Sequence, residues 1–366
     1  MKSFLTINPP ILNSANPWCT SLEQLQELYD YPHTGAVTTR TSLLKGFPHD
    51  WSIHQFAFFD PNTHDATHAN PQSGEEAVHT ASLNTLGYSP IPLAEYLGFV
   101  QTISDGIAEV KEGVAAKPFV ISVTGTVDEV VESYQRICAR RCSVRMDLAM
   151  EVNLSCPNIV GKPPPAYDST ELLSYLIALK VELGKQLDNG TERETHVPIG
   201  IKTPPYTYDA QFQSLLSALL AGASAEPVHI PCPISFITST NTLGSSLLIA
   251  PTLDIPPSPS SGSSKEYNPT LASASGAGIG GLAGAPLHPL ALGNVYTIKT
   301  LLSQHKELED VQIIGVGGVS DGEGYRRMRA VGAGAVGVGT ALGRRGVRVF
   351  GEILQGSGDG GDGGAK

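Results

Sequence analysis

What most constrains this chain is an alternation that never breaks: short apolar, β-branched runs and helical patterns follow one another from end to end. Strands are expected at residues 10–15, 35–40, 118–125, 147–156, 197–202, 234–241, 311–319 and 335–341. Helices are expected at 21–31, 92–107, 127–140, 169–186, 209–220, 288–304, 322–331 and 347–354. The helix over 169–186 sets Leu172, Leu176, Leu179 and Leu183 on one face, and Ser21 is placed to cap the first helix. Strand–helix alternation implies parallel pairing with right-handed crossovers. Eight units predict an α/β fold closed into a (β/α)8 TIM barrel, in preference to an open doubly wound sheet.

A chain of 366 residues suits one such barrel, so residues 1–355 are expected to form a single domain. Inserted loops are expected at about 43–81 and 245–285, the second rich in Pro, Ser and Gly. Residues 356–366 are almost all Gly, Asp and Ser; they cannot bury a core and are expected to be disordered.

The net charge of −11 argues against nucleic acid or an anionic membrane surface as the main partner, since both need basic patches. No run of about 18 apolar residues is present and the N-terminus lacks a sustained apolar core, so neither a membrane span nor a signal peptide is expected. The cytoplasm is the default setting. Five cysteines do not make a disulfide framework. Cys138 and Cys142 have no second ligand pair, and His64 and His68 lie in a polar loop, so no metal site is expected.

In a barrel of this kind chemistry gathers at the C-terminal ends of the strands. Thr39 and Arg40 fall there on strand 2, and Asn153 to Asn158 on strand 4, with Cys156 among them. Lys202 ends strand 5, and Thr240, Asn241 and Thr242 end strand 6. Amides, a thiol and two cations at one mouth suit a planar, polar, anionic small molecule, because amides donate and accept at once. Gly317 and Gly318 end strand 7, and Gly339 and Thr340 end strand 8. Glycine turns there either pack tightly or hold a phosphate, and two on adjacent closing strands favour phosphate. Residues 276–284 follow a Ser/Pro linker and no strand, so a flexible loop over a phosphate fits them better than a dinucleotide fingerprint. From spacing alone Cys156 is either a small buried hydrophobe or a catalytic thiol.

The run Asn153-Leu154-Ser155-Cys156-Pro157-Asn158-Ile159-Val160-Gly161-Lys162-Pro163 resembles the active-site loop of the class 1A, soluble and fumarate-type, dihydroorotate dehydrogenase family. The resemblance extends from about residue 13 to about residue 354. It takes in Asn84-Thr85-Leu86-Gly87, Ile199-Gly200-Ile201-Lys202, Asn241-Thr242-Leu243-Gly244, Gly278-Ile279-Gly280-Gly281, Gly315-Val316-Gly317-Gly318 and Val338-Gly339-Thr340-Ala341-Leu342.

What the resemblance implies is an FMN-dependent enzyme of pyrimidine (UMP) biosynthesis. Cys156 would take a proton from C5 of dihydroorotate while hydride leaves C6 for the flavin. Fumarate would then reoxidise the flavin at the same site, and the enzyme would be a homodimer. Asn84, Asn153, Asn158, Asn241 and Thr242 fall on substrate positions, with the main chain of Leu86 and Gly87 beside the substrate carboxylate. Arg40 would serve substrate and flavin, and Ala15, Thr41, Asn153, Lys202 and Thr240 the flavin. Gly281, Gly317, Gly318, Gly339 and Thr340 match the phosphate cradle.

The chain departs from the family's pattern in four places, one of them an expanded insertion over residues 250–275. Arg40 stands where the family has lysine. Ser14-Ala15-Asn16-Pro17-Trp18 replaces Ala-Ser-Gly at the end of strand 1, and the Gly/Asp tail takes the place of a C-terminal helix. A related flavin barrel acting on another dihydropyrimidine is the rival enzyme, but such proteins draw electrons through iron–sulfur domains whose cysteines this chain lacks. A tRNA dihydrouridine synthase conflicts with the charge. A non-catalytic flavin-binding homologue is the rival from outside enzymes.

Overall fold

The computed structural model describes residues 5–72, 77–107, 116–159, 161, 163–188, 196–251 and 267–358. Eight strands form one parallel sheet: β1 (Ile11–Asn13), β2 (Val37–Thr38), β3 (Phe119–Val123), β4 (Leu148–Asn153), β5 (Ile199–Thr203), β6 (Phe236–Ser239), β7 (Gln312–Val316) and β8 (Ala335–Val338). Each pairs with its neighbours in chain order, and β8 returns to β1 with Ile11 opposite Val336. A parallel bridge from Leu12 to Ala36 closes the ring into a TIM barrel.

Alternation along the strands sorts the core into two. Phe119, Ile121, Leu148, Met150, Val152, Ile199 and Ile201 face outward into the layer beneath the helices. Leu12, Val120, Ala149, Phe236 and Ile314 face inward and fill the barrel floor. The Phe236 ring occupies the space over Gly200, where a Cβ would come within 2.2 Å of it. Two residues further along β3, β4 and β6 the interior turns polar. Glu151, 2% exposed, accepts from Ser122 Oγ at 2.9 Å and Thr238 Oγ1 at 2.6 Å. One layer higher stand Asn153 and Lys202, and there the site begins.

The outer ring is made by α1 (Leu22–Asp30), α2 (Leu93–Gly106), α3 (Val127–Arg141), α4 (Ser169–Asp188), α5 (Asp209–Ser224), α6 (His288–Ser303), α7 (Gly322–Ala330), α8 (Thr340–Arg345) and α9 (Arg348–Ser357). Ser21 caps α1 and Thr126 caps α3, each in a reciprocal pair with the side chain three residues on. Buried Lys180 donates to the carbonyls of Ala223 and Ala225, putting a cation where the α5 dipole ends negative.

The expected inserted loops are not plain loops. Phe56–Phe59 and Ala81–Asn84 come from the β2–α2 connection, and Leu243–Ser246 and Gly280–Gly284 from the β6–α6 connection. They pair antiparallel in one sheet, with Gly280–Gly284 between Ala81–Asn84 and Leu243–Ser246. This sheet roofs one side of the barrel mouth. Phe56 to Phe59 are buried on both faces, which hides the alternation by which a half-exposed strand is recognised.

Element boundaries also differ, and three of these differences bear on the site or on the tail. Strand 4 ends at Asn153, so Cys156 lies in the following loop: the Asn153 side chain accepts from Ser155 N at 3.2 Å, and Pro157 has no N–H to give. Strand 8 stops at Val338, because Thr340 begins α8. The last helix runs through Ser357, three residues beyond the expected end, so the expected tail starts inside it. The rest of that tail, residues 359–366, lies outside the described residues, as do Val160 and Lys162 of the cysteine loop.

Candidate active site

One cavity opens at the C-terminal mouth, between the barrel turns and the roof sheet. It holds about 1030 Å3, its open side included, near the upper end of the size range of small-molecule and cofactor sites (about 300–1,000 Å3). Its wall contains Cys156 and, from the substrate set expected above, Arg40, Asn84, Leu86, Gly87, Asn153, Asn158, Asn241 and Thr242. Ala15, Thr41, Lys202, Thr240, Gly317, Gly318, Gly339 and Thr340 line it too. Gly281 does not. A Cβ there would meet Thr242 Oγ1 at 2.1 Å and Asn84 Nδ2 at 3.3 Å, and it is Gly284 that joins the wall. Residues 280–284 are a roof strand, which corrects the expectation of a flexible loop.

The four asparagines arrive from three segments, Asn153 and Asn158 sharing one, and form two pairs. Asn158 Nδ2 donates to Asn84 Oδ1 at 2.9 Å and to the Leu86 carbonyl at 2.9 Å. Asn241 Nδ2 donates to Ser155 Oγ at 2.9 Å and to Asn153 Oδ1 at 3.3 Å, while Asn153 Nδ2 donates to Thr41 Oγ1 at 3.0 Å. Side-chain amides held this way present fixed donors and acceptors to a ligand.

Both charged residues in the wall are cations, although the chain as a whole is strongly acidic. Lys202, 3% exposed, donates to Ser14 Oγ at 2.9 Å. Arg40 is 7% exposed and reaches the Gly87 carbonyl at 3.4 Å. Burial pulls the Arg40 guanidinium below its ordinary range. Two buried cations answered by neutral oxygens are costly to desolvate, so the cavity favours an anionic occupant.

Cys156 keeps some exposed surface and stands in the cavity wall. Burial raises the thiol pKa, and a backbone N–H at Asn158, then Lys202, Arg40 and the Tyr88 hydroxyl, pull it back down. All five cysteines are free.

At the far end the glycine turns form a cradle. Gly317 and Gly318 take φ of 142° and 69°, and Gly284 takes 82°, conformations glycine alone adopts readily. Arg327 Nε donates to His288 Nε2 at 3.3 Å, which leaves the His288 proton on Nδ1 to bond the Gly317 carbonyl at 2.7 Å. A Cβ built at Gly339 would meet no atom within 4 Å. It would enter open space where a ligand's anionic end can reach backbone N–H groups. A small side cavity continues from this cradle, with Arg344 in its wall. Thr240 Oγ1, buried in the main wall, has no hydrogen-bond partner among the described residues, as expected of a group that waits for a ligand.

Three wall residues were given no site role in the sequence, although Asn16 and Trp18 belong to the run that departs from the family at strand 1. Trp18 stacks on Phe58 (5.6 Å between centroids) and meets Phe56 edge-on, closing the β1 side. Asn16 accepts from Trp18 N at 2.8 Å and so sets the turn that replaces the family's small residues. Tyr88, next to the recognised Asn84 motif, stands against Cys156. An aromatic in a loop looks like packing until its neighbour in space is known.

Such a mouth defines a class: a (β/α)8 barrel whose strand ends enclose one cavity lined by amides, a thiol, two cations and glycine turns. Residues 62–358 match the family model of dihydroorotate dehydrogenase, and the chain belongs to this family of flavin-dependent oxidoreductases. It is 25% identical over 348 residues to dihydroorotate dehydrogenase A (fumarate) of Lactococcus lactis subsp. cremoris (strain MG1363), covering 94% of this chain and 88% of the relative. It is 26% identical over 345 residues to the dihydroorotate dehydrogenase (fumarate) of Trypanosoma brucei brucei, covering 94% and 87%. The fold resembles that of the Eimeria tenella DHODH crystallised with ferulenol, with a TM-score of 0.66 at 18% identity over 96% of this chain and 81% of that one. Among the described residues no helix is long and apolar enough to cross a membrane.

Proposed function

We propose that the protein oxidises dihydroorotate to orotate with FMN as cofactor and fumarate as electron acceptor, a step of pyrimidine biosynthesis, and that Cys156 is the catalytic base. The observation that carries this reading is the convergence of one thiol, two amide pairs and two buried cations on a cavity that ends in a glycine cradle. The cradle, the open space at Gly339 and unpartnered Thr240 Oγ1 suit the phosphate and polar edge of FMN. FMN, when bound, supplies the two-electron acceptor.

The chain's own residues do the rest. Asn84 with Asn158, and Asn153 with Asn241, grip the amide edges of the pyrimidine ring, while Thr242 and the main chain of Leu86 and Gly87 border it. Arg40 offers a forked donor to the substrate carboxylate. Cys156 removes the ring-carbon proton as thiolate and holds it as thiol. Lys202 favours negative charge on the cofactor edge it faces, and Ala15, Thr41 and Thr240 border the cofactor. Gly317, Gly318, Gly339 and Thr340 belong to the cradle. Residues 1–355 act as a single flavin-binding unit that works as a homodimer in the cytoplasm.

The test takes one cuvette. The purified protein is expected to be yellow, and its flavin absorbance to bleach anaerobically on adding dihydroorotate and recover on adding fumarate. Bound flavin that never bleaches with dihydroorotate defeats the activity and leaves the fold standing.

A further inference from the structure

We infer that Glu151, set back from the cavity wall, is a positioning residue for the site above it. Through Ser122 and Thr41 it fixes which end of the Asn153 amide is free, and so makes the Asn153–Asn241 pair specific for an edge that carries a carbonyl and an N–H. The inference deepens the proposed function and rests on its reading of that pair as a grip on the ring amides. Glu151 stands two residues before Asn153 on β4, so both side chains point into the barrel, one layer apart. It is 2% exposed, and the floor beneath it is apolar. A carboxyl is costly to bury there, and a hydrophobic side chain of its size would fill the space at less cost. Packing does not explain it.

The Glu151 oxygens are answered by two hydroxyls, Ser122 Oγ at 2.9 Å and Thr238 Oγ1 at 2.6 Å. From Ser122 a line of hydrogen bonds climbs to the site, and its direction follows from counting protons. A hydroxyl has one to give. Ser122 gives its own to Glu151, so in the 2.9 Å contact between Thr41 Oγ1 and Ser122 Oγ the donor is Thr41. With its proton spent, Thr41 can only accept, and it accepts from Asn153 Nδ2 at 3.0 Å. The oxygen of that amide is thereby turned to the other side. There it accepts from Ser155 N at 3.2 Å, Ser155 Oγ at 2.9 Å and Asn241 Nδ2 at 3.3 Å. Asn241 Oδ1 in turn accepts from Thr242 N at 2.8 Å.

The same count shows what is left for a ligand. Asn153 Nδ2 keeps its second hydrogen and Asn241 Oδ1 its second lone pair, one donor and one acceptor from two residues of the wall. They complement a ring edge that offers one carbonyl and one N–H. A group at position 151 that donated to Ser122 would reverse the line. Ser122 would then give its proton to Thr41, and Thr41 its own to Asn153. The Asn153 nitrogen would be turned against Ser155 N and Asn241 Nδ2, donor against donor. A carboxylate, which accepts at both oxygens, agrees with the amides above it.

Ser122→Ala and Thr238→Val each take one hydroxyl from Glu151, but only Ser122 leads to Asn153. Both are made in the flavin-loaded protein, with flavin content and near-ultraviolet circular dichroism confirming the fold, and orotate and fumarate are titrated against the flavin absorbance. Ser122→Ala is expected to weaken orotate about fivefold, the worth of one hydrogen bond, and fumarate, which has no N–H, by less than about twofold. Thr238→Val should leave both affinities within about twofold of the parent. Unchanged orotate affinity in Ser122→Ala, an equal loss for the two ligands, or an equal loss of orotate in Thr238→Val overturns the inference. Neutron diffraction from crystals of the perdeuterated parent reads the line of bonds without any substrate. A deuteron on Thr41 Oγ1 directed at Ser122 Oγ, and none on Glu151, is expected. A deuteron on either Glu151 oxygen, or a Thr41 deuteron directed at Asn153, overturns the inference even where Ser122→Ala does not fold. A parent that holds flavin but neither bleaches with dihydroorotate nor binds orotate defeats the proposed function instead, and the neutron map then decides alone.

Discussion

At Cys156 the surroundings pull in opposite directions. Burial resists the thiolate, while two cations and a backbone N–H favour it, and burial wins, so the thiol titrates above its ordinary value. The base is the deprotonated form. The rate of flavin bleaching by dihydroorotate should therefore rise with pH through the alkaline range and level off only above the thiol's raised pKa. Stopped-flow absorbance at a series of pH values reads this directly, and a flat profile near neutrality would remove Cys156 as base. Cys156→Ala should keep its yellow colour and bleach slower by about 10²- to 10⁴-fold, the usual contribution of a positioned base. Lys202 is the second residue whose loss has a distinct signature. Lys202→Met deletes the cation and leaves Ser14 as a hydroxyl, so the flavin's midpoint potential should become more negative, as read by dye-equilibrated reduction. An unchanged potential would place Lys202 away from the cofactor.

The glycine cradle is a property of elements: the turns after β7 and β8, the end of a roof strand, and the first turns of α8. Gly318→Ala would strain φ at 69° and drive a Cβ to 2.6 Å from His288 Cβ and 2.7 Å from the Gly284 carbonyl. That protein should purify with little flavin. Arg344 lines the side cavity at the cradle's end and donates to the Ala77 carbonyl at 3.0 Å. Arg344→Gln should weaken FMN binding to the apoprotein while leaving riboflavin, which lacks the phosphate, nearly unaffected; fluorescence titration separates the two, and equal losses would refute a phosphate role. The glycines of the cradle were legible because a glycine pair after β7 and a glycine turn after β8 are local signals. The outer helices were legible for the same reason, through caps such as Ser21 and the leucine face of α4. The roof sheet was not legible. Its inner pair joins residue 84 to residue 281, and neither segment announces the other locally. Gly281 was misplaced on that account, and Tyr88 and Trp18 were missed because their partners come from distant segments.

For the whole molecule, the cavity is where two separately built parts meet: a closed barrel with an apolar floor, and a roof contributed by two long connections. Their contributions to stability should be separable. An occupant that touches barrel turns and roof binds only the folded chain, so it stabilises by mass action, about 2.7 kcal/mol at a hundredfold excess over its Kd. Removing flavin should then lower the thermal midpoint, and restoring FMN should raise it in a concentration-dependent way. Phe236 lies beneath this, in the floor, 1% exposed against Gly200. Phe236→Ala should cost about 3–5 kcal/mol through lost burial and a residual cavity. Because Glu151 with its two hydroxyl donors stands between that floor and Lys202, the loss should be equal with and without FMN, and the flavin spectrum should not change. Calorimetry on the four combinations decides it. If Phe236→Ala abolishes the FMN-dependent shift, the floor and the mouth are one cooperative unit, and the polar layer at Glu151 does not insulate the site from the packing below it.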